Sequence, residues 1–218
     1  MSWWVTDTLN SNNGPILLFS WVFWVILSIT LHELGHGIAA VWQGDDTPIR
    51  SGHMTMNPLV HMGGYSLIVF AVIGIAWGAM PVNPYRFRMG RKGDALVSLA
   101  GPAVNLLLMF LTATTLGVVA TYGSNGSFTD NLTNFLVMGS MLNGVLLILN
   151  LIPIPPLDGS RILAGISWSA ENFYKKPEVQ QFALLGLLLL LFTGGDLLFS
   201  TSMEITTWWS TTIAAILP

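Results

Sequence analysis

The sequence predicts an all-α polytopic membrane protein, with about four to six transmembrane helices, one re-entrant hairpin and a short membrane-associated edge strand. Three observations predict it. The 218 residues are 52% hydrophobic and only 9% charged, whereas soluble globular domains carry roughly a quarter charged residues. Several apolar runs reach the ~20 residues that a helix needs to cross ~30 Å of hydrocarbon. The few basic residues collect in two of the connections, as they do on the cytoplasmic face of membrane proteins.

The first run covers residues 15–42, and between Asp7 and Asp45 its only charged side chain is Glu33. The stretch before it lacks a basic region and the run is too long for a signal-peptide core, so this segment is expected to stay in the mature protein. Residues 59–80, 95–121, 133–153 and 179–199 are the further candidates. The last apolar stretch, 205–217, is too short to span alone, and its Trp208 and Trp209 suit the membrane interface. Cysteine is absent, which removes disulfides and thiolate metal sites. A net charge of −3 without long basic runs argues against nucleic acid as a partner. Nothing repeats, and residues 1–218 read as one integral-membrane domain.

Loop charge sets the orientation. Arg86, Arg88, Arg91 and Lys92 lie between the second and third runs, and Arg161, Lys175 and Lys176 between the fourth and fifth. Both connections are expected on the cytoplasmic side, and the connection 122–132, which has no Lys or Arg, on the other. If residues 59–80 crossed the membrane, Arg50 and the Arg86 cluster would fall on opposite faces. The conflict disappears if this run enters and returns on one side, with Gly63, Gly64, Gly74 and Gly78 permitting the turn.

The chemistry begins with "LHELGH" at residues 31–36. On a helix His32 and His36 stand one turn apart on one face, so both imidazoles reach one metal ion while Glu33 reaches an adjacent water. An ionised carboxylate at membrane depth is costly and is retained for function. A catalytic zinc takes three protein ligands and a water, and the third ligand is open among His53, His61, Asp94, Asp158, Asp196 and Glu204. Asp158 stands out because it ends "NLIPIPPLDG" (150–159), whose three prolines break a helix at membrane depth.

"HELGH", followed by "SLAGPAVN" (98–105) and "NLIPIPPLDG", resembles the site-2 protease family of intramembrane zinc metalloproteases. "GHMTMNPLVH" (52–61) and "WGAMPVNPYRFR" (77–88) further resemble its compact prokaryotic branch without a PDZ module. The resemblance implies His32, His36 and Asp158 as ligands of one Zn2+, and Glu33 as general base. It implies Asn150 as an oxyanion donor, a transmembrane protein as substrate, the lipid bilayer as surroundings, and a site facing the cytoplasmic side of the prokaryotic cell membrane. The chain departs from the best-known members in lacking a full spanning helix before HELGH.

Hydrolysis inside a membrane also requires the substrate to unwind, since an intact helix hides each carbonyl in its own hydrogen bonds. Residues 47–56 are the expected edge strand for pairing with such a segment. His53 and His61 are read as anchoring the hairpin or lining a channel, and Gly101, Pro102 and Asn105 as allowing close helix packing. Two other classes use the same residues: a zinc-binding membrane protein without protease activity, and an inactive scaffold that binds transmembrane segments. Retention of Glu33 argues against both, because neither needs a free carboxylate beside the metal.

Overall fold

The computed structural model describes residues 3–218. The helices are α1 (Trp4–Leu9), α2 (Gly14–Trp42), α3 (Thr47–Arg50), α4 (Pro58–Ile73), α5 (Arg91–Tyr122), α6 (Ser127–Leu151), α7 (Asp158–Ile166), α8 (Trp168–Tyr174) and α9 (Pro177–Ile216). Four of them, α2, α5, α6 and α9, are long and apolar enough to cross a membrane. Helix α5 packs against α2, α6, α7 and α9, and so forms the centre of the bundle.

Lipid tails are as apolar as the helices, so association here depends on close backbone approach and on buried hydroxyls. A Cβ on Gly35 of α2 would lie 2.9 Å from the carbonyl oxygen of Ala100 on α5, and one on Gly117 of α5 2.6 Å from that of Ser210 on α9. Ser140 of α6 and Thr206 of α9 share a hydrogen bond of 2.8 Å, and Ser202 donates to the Met141 carbonyl at 2.7 Å. An apolar cluster of Trp24, Val25, Ile29, Met62, Phe70 and Leu142 joins α2, α4 and α6.

Helix α4 and the chain after it form the hairpin that the loop charges demanded. Pro58 opens the helix and the Asn57 side chain accepts the Leu59 N–H at 3.0 Å. Gly63 kinks it at φ 66°, and Gly74 ends it at φ 86°, a left-handed conformation that favours glycine. The chain then returns along the same helix without helical structure. The Ser66 hydroxyl donates to the Trp77 carbonyl at 2.7 Å and accepts the Trp77 N–H at 2.9 Å. Ala79 N–H bonds to the His61 carbonyl at 2.9 Å. The indoles of Trp3 and Trp4 both donate to the Ala71 carbonyl near the tip.

The base of the hairpin is fastened to the end of α2. Asp45 is fully buried; its carboxylate accepts the Asn83 N–H at 2.6 Å, and the N–H and hydroxyl of Thr47 at 3.0 and 2.5 Å. Burial opposes ionisation of Asp45, but these donors, with Arg86 nearby, outweigh it and hold the carboxyl below its ordinary value.

Two expectations are corrected. Residues 47–56 are no edge strand: Thr47–Arg50 is a short helix with Pro48 in its first turn and the Thr47 N–H held by the Asp45 carboxylate, and turns follow around Gly52 at φ 72°. No strand occurs among the described residues. Residues 179–199 and 205–217 belong to one 40-residue helix, because the intervening residues include neither glycine nor proline to stop it. At 1.5 Å per residue it is about 60 Å long, and all its buried side chains, Leu198, Ser202, Thr206 and Ser210, lie in its second half.

A re-entrant hairpin requires Ser51 and Tyr85 on one side of the membrane and Ser124 on the other. With no native cysteine, single cysteines at these positions report the topology directly: an impermeant reagent applied outside should label only position 124. Labelling of positions 51 and 85 from opposite faces would rule the hairpin out.

Candidate metal centre

The C-terminal half of α2 carries His32, Glu33 and His36, all buried. The third potential ligand comes from the far side of the proline break. Helix α6 stops at Leu151, the chain turns through Pro153, Pro155 and Pro156, and Asp158 opens α7. The turn is tight: a Cβ on Gly159 would lie 2.4 Å from the Leu151 carbonyl oxygen. Tyr174 of α8 donates its hydroxyl to the Pro153 carbonyl at 2.8 Å, and Arg161 of α7 pairs with Asp94 of α5 at 2.5 Å. These contacts hold the aspartate against α5 and α2.

His32 Nε2 and His36 Nε2 are 3.0 Å apart, and Asp158 Oδ2 lies 3.1 and 3.3 Å from them. The other ring nitrogens decide what this means. His36 Nδ1 faces the Val97 carbonyl at 2.7 Å, and a carbonyl only accepts, so Nδ1 carries the proton. His32 Nδ1 donates likewise to Asn105 Oδ1 at 2.6 Å. With each Nδ1 so engaged, both Nε2 atoms face a buried Asp158 oxygen. Three potential ligand atoms converge on one point.

A cation fits that arrangement. Two imidazoles and a carboxylate are a common donor set for zinc, with a position left for water. The helix opposite leaves room: a Cβ on Gly101 of α5 would sit 2.4 Å from His36 Nε2 and 2.5 Å from His32 Nε2. His32, His36 and Asp158 are the one such group of potential ligands among the described residues. Glu33 shares a helix face with His36, three residues on. On its other side the returning hairpin presses close, since a Cβ on Gly78 would meet Glu33 Oε1 at 2.7 Å.

The remaining candidates lie outside this group. His61 Nε2 donates to the Thr55 carbonyl at 2.7 Å, and His53 Nδ1 bonds to Ser51 at 3.0 Å. Asp94 is engaged by Arg161, and Asp196 and Glu204 are exposed on α9. Asn150 is half-buried in the last turn of α6, where Nδ2 donates to the Leu146 carbonyl at 3.0 Å. Sequence reasoning assigned Asn105 to helix packing alone and missed its bond to His32. The signal was available, because an amide inside an apolar helix must find a partner.

Histidine pair and aspartate together form a candidate metal centre among helices long and apolar enough to cross a membrane. The model of peptidase family M50 matches residues 111–194, a region that holds Asn150 and Asp158. A Bacillus subtilis protein named as a zinc metalloprotease, YwhC, is 39% identical over 175 residues, covering 79% of this chain and 80% of that protein. Mycolicibacterium smegmatis Rip2, also named as a zinc metalloprotease, is 28% identical over 209 residues, or 88% of this chain and 74% of its own. Mycobacterium tuberculosis Rip2 is 32% identical over 182 residues, or 76% and 63%. No solved structure matches. The chain belongs to peptidase family M50, the site-2 protease family, whose metal is zinc.

The Gly101 contact generates a sharp expectation. Gly101→Ala adds one methyl where two nitrogens already stand, so purified Gly101→Ala should retain far less zinc than wild type while remaining helical by circular dichroism. Full zinc occupancy in that variant would show that the cradle is not the metal site.

Proposed function

We propose that the chain is an intramembrane endopeptidase, a single domain over residues 1–218, that hydrolyses a peptide bond within or near a transmembrane segment of another membrane protein. The observation that carries this reading is the convergence of His32 Nε2, His36 Nε2 and Asp158 Oδ2 beside a buried glutamate, between helices long enough to span a bilayer. His32, His36 and Asp158 would hold the metal. Zinc supplies, when bound, a water whose pKa falls to about 7 and a Lewis acid for the scissile carbonyl.

Glu33 is the general base. Its carboxylate takes a proton from the attacking water and later delivers it to the leaving amine. The unwound substrate backbone needs partners, and the non-helical return of the hairpin past Gly78 supports a role for it beside Glu33 in place of the edge strand expected at residues 47–56. Asn150 serves the developing oxyanion once its amide leaves the Leu146 carbonyl. The basic connections at residues 81–94 and 154–178 support a site opening toward the cytoplasmic side of a prokaryotic cell membrane.

A reconstituted cleavage assay with zinc measured in parallel tests the roles. Glu33→Gln keeps the shape of the side chain but cannot act as the base, so cleavage should fall by about 10²–10⁴-fold with zinc content unchanged. Asn150→Ala should lower turnover by about 10²–10³-fold, again with zinc retained. Near-wild-type cleavage by Glu33→Gln would reject the base assignment, and by Asn150→Ala the oxyanion assignment. Comparing the membrane proteome of cells carrying wild type or Glu33→Gln would identify the substrate as the protein left uncut.

A further inference from the structure

Behind His32 lies a chain of amides that the proteolytic reading leaves without a role. Asn105 of α5 and Asn143 of α6 are both fully buried. Asn143 Nδ2 donates to the Gly139 carbonyl at 2.8 Å, Asn105 Nδ2 donates to Asn143 Oδ1 at 3.0 Å, and Asn105 Oδ1 faces His32 Nδ1 at 2.6 Å. The chain can be read in only one direction. A backbone carbonyl only accepts, so the NH2 of Asn143 must face Gly139 and its oxygen must face Asn105. That oxygen requires the NH2 of Asn105, which turns the Asn105 oxygen to His32 and calls for a proton on Nδ1.

The two histidines are therefore held differently. His36 is oriented by the Val97 carbonyl, which cannot reverse. The amide opposite His32 can. Rotated by 180°, Asn105 would offer an NH2 to Nδ1, the ring proton would move to Nε2, and the nitrogen aimed at Asp158 would cease to be a ligand. With Asn143 in place the same rotation sets two amide oxygens against each other 3.0 Å apart, inside a membrane helix bundle with no water to relieve them.

We propose that Asn105 and Asn143 are positioning residues for the metal, and that Asn143, two helices away, fixes the tautomer of His32 by fixing the amide orientation of Asn105. The proposal rests on the reading of His32, His36 and Asp158 as the ligands. Hydrogen-bond partners of metal-bound histidines typically account for a 10–100-fold change in affinity.

The test is zinc affinity, measured on full-length protein in detergent by competition with a chelator. Asn105→Leu and Asn143→Leu should each weaken binding by about 10–100-fold. Asn105→Asp alone should not rescue binding, because its second carboxylate oxygen would face Asn143 Oδ1, the same clash that fixes the wild-type amide. With Asn143 replaced that clash is gone and a carboxylate presents an acceptor to His32 in either orientation, so the double variant Asn105→Asp/Asn143→Leu should bind zinc more tightly than Asn143→Leu alone. A double variant as weak as Asn143→Leu would overturn the relay, as would wild-type affinity in folded Asn143→Leu. Should Asn143→Leu fail to fold, Asn143→Ala removes the same amide without added bulk and should weaken binding by about 10–100-fold; wild-type affinity there would equally overturn it. His36→Ala separates this from the ligand assignment: zinc kept in His36→Ala removes the ligand set, whereas zinc lost there but kept in Asn143→Leu removes only the relay.

Discussion

Three potential metal ligands held together inside a membrane protein are the constraint on which the rest of this structure depends. Outside a membrane, water could relieve the meeting of His32 Nε2, His36 Nε2 and Asp158 Oδ2 within 3.3 Å of one another. Among buried helices an unpaired polar group costs several kcal/mol, and three such groups facing inward would drive the elements apart unless a cation joined them. The surrounding architecture serves that meeting. Gly35 lets α2 approach α5, Gly101 leaves the space that a side chain would fill, and the proline turn swings Asp158 back toward α2.

The hairpin follows from the same constraint. Asp158 comes after α6 and the histidines lie in the C-terminal half of α2, so α2 and α6 must run in the same direction for their ends to meet. Helix α5 lies between them in sequence and runs the opposite way, which leaves the chain between α2 and α5 no net crossing to make. Helix α4 and its return satisfy this, closed by the Ser66–Trp77 and His61–Ala79 bonds and locked at the base by Asp45. The return also brings non-helical backbone to Glu33, where an extended substrate would have to lie.

Much of this was legible in the sequence because it is written in local signals. HELGH places two imidazoles on one helix face by spacing alone, and three prolines in four residues of "PIPP" mark a break that no apolar helix survives. The hairpin was legible from charge, since Arg50 and Arg86 had to share a face. The edge strand was not: alternation at residues 47–56 suggested one, but the buried Asp45 carboxylate takes the N–H and hydroxyl of Thr47 where a short helix begins, and that acid's buried position comes from the fold. The end of α9 was misread because hydropathy falls at residues 200–204 while no glycine or proline there stops the helix. Asn105 and Asn143 were read as packing or passed over, because amide partners 38 positions apart leave no spacing pattern.

The central claim is that two imidazoles and one carboxylate close around a single ion, and the ion's own ligand shell tests it most directly. X-ray absorption at the zinc edge, on wild-type protein in lipid, should give two imidazole nitrogens at about 2.0–2.1 Å and oxygen from a carboxylate and solvent at about 2.0–2.2 Å. A third imidazole in that shell, which only His53 or His61 could supply, or a shell of oxygen alone would contradict it.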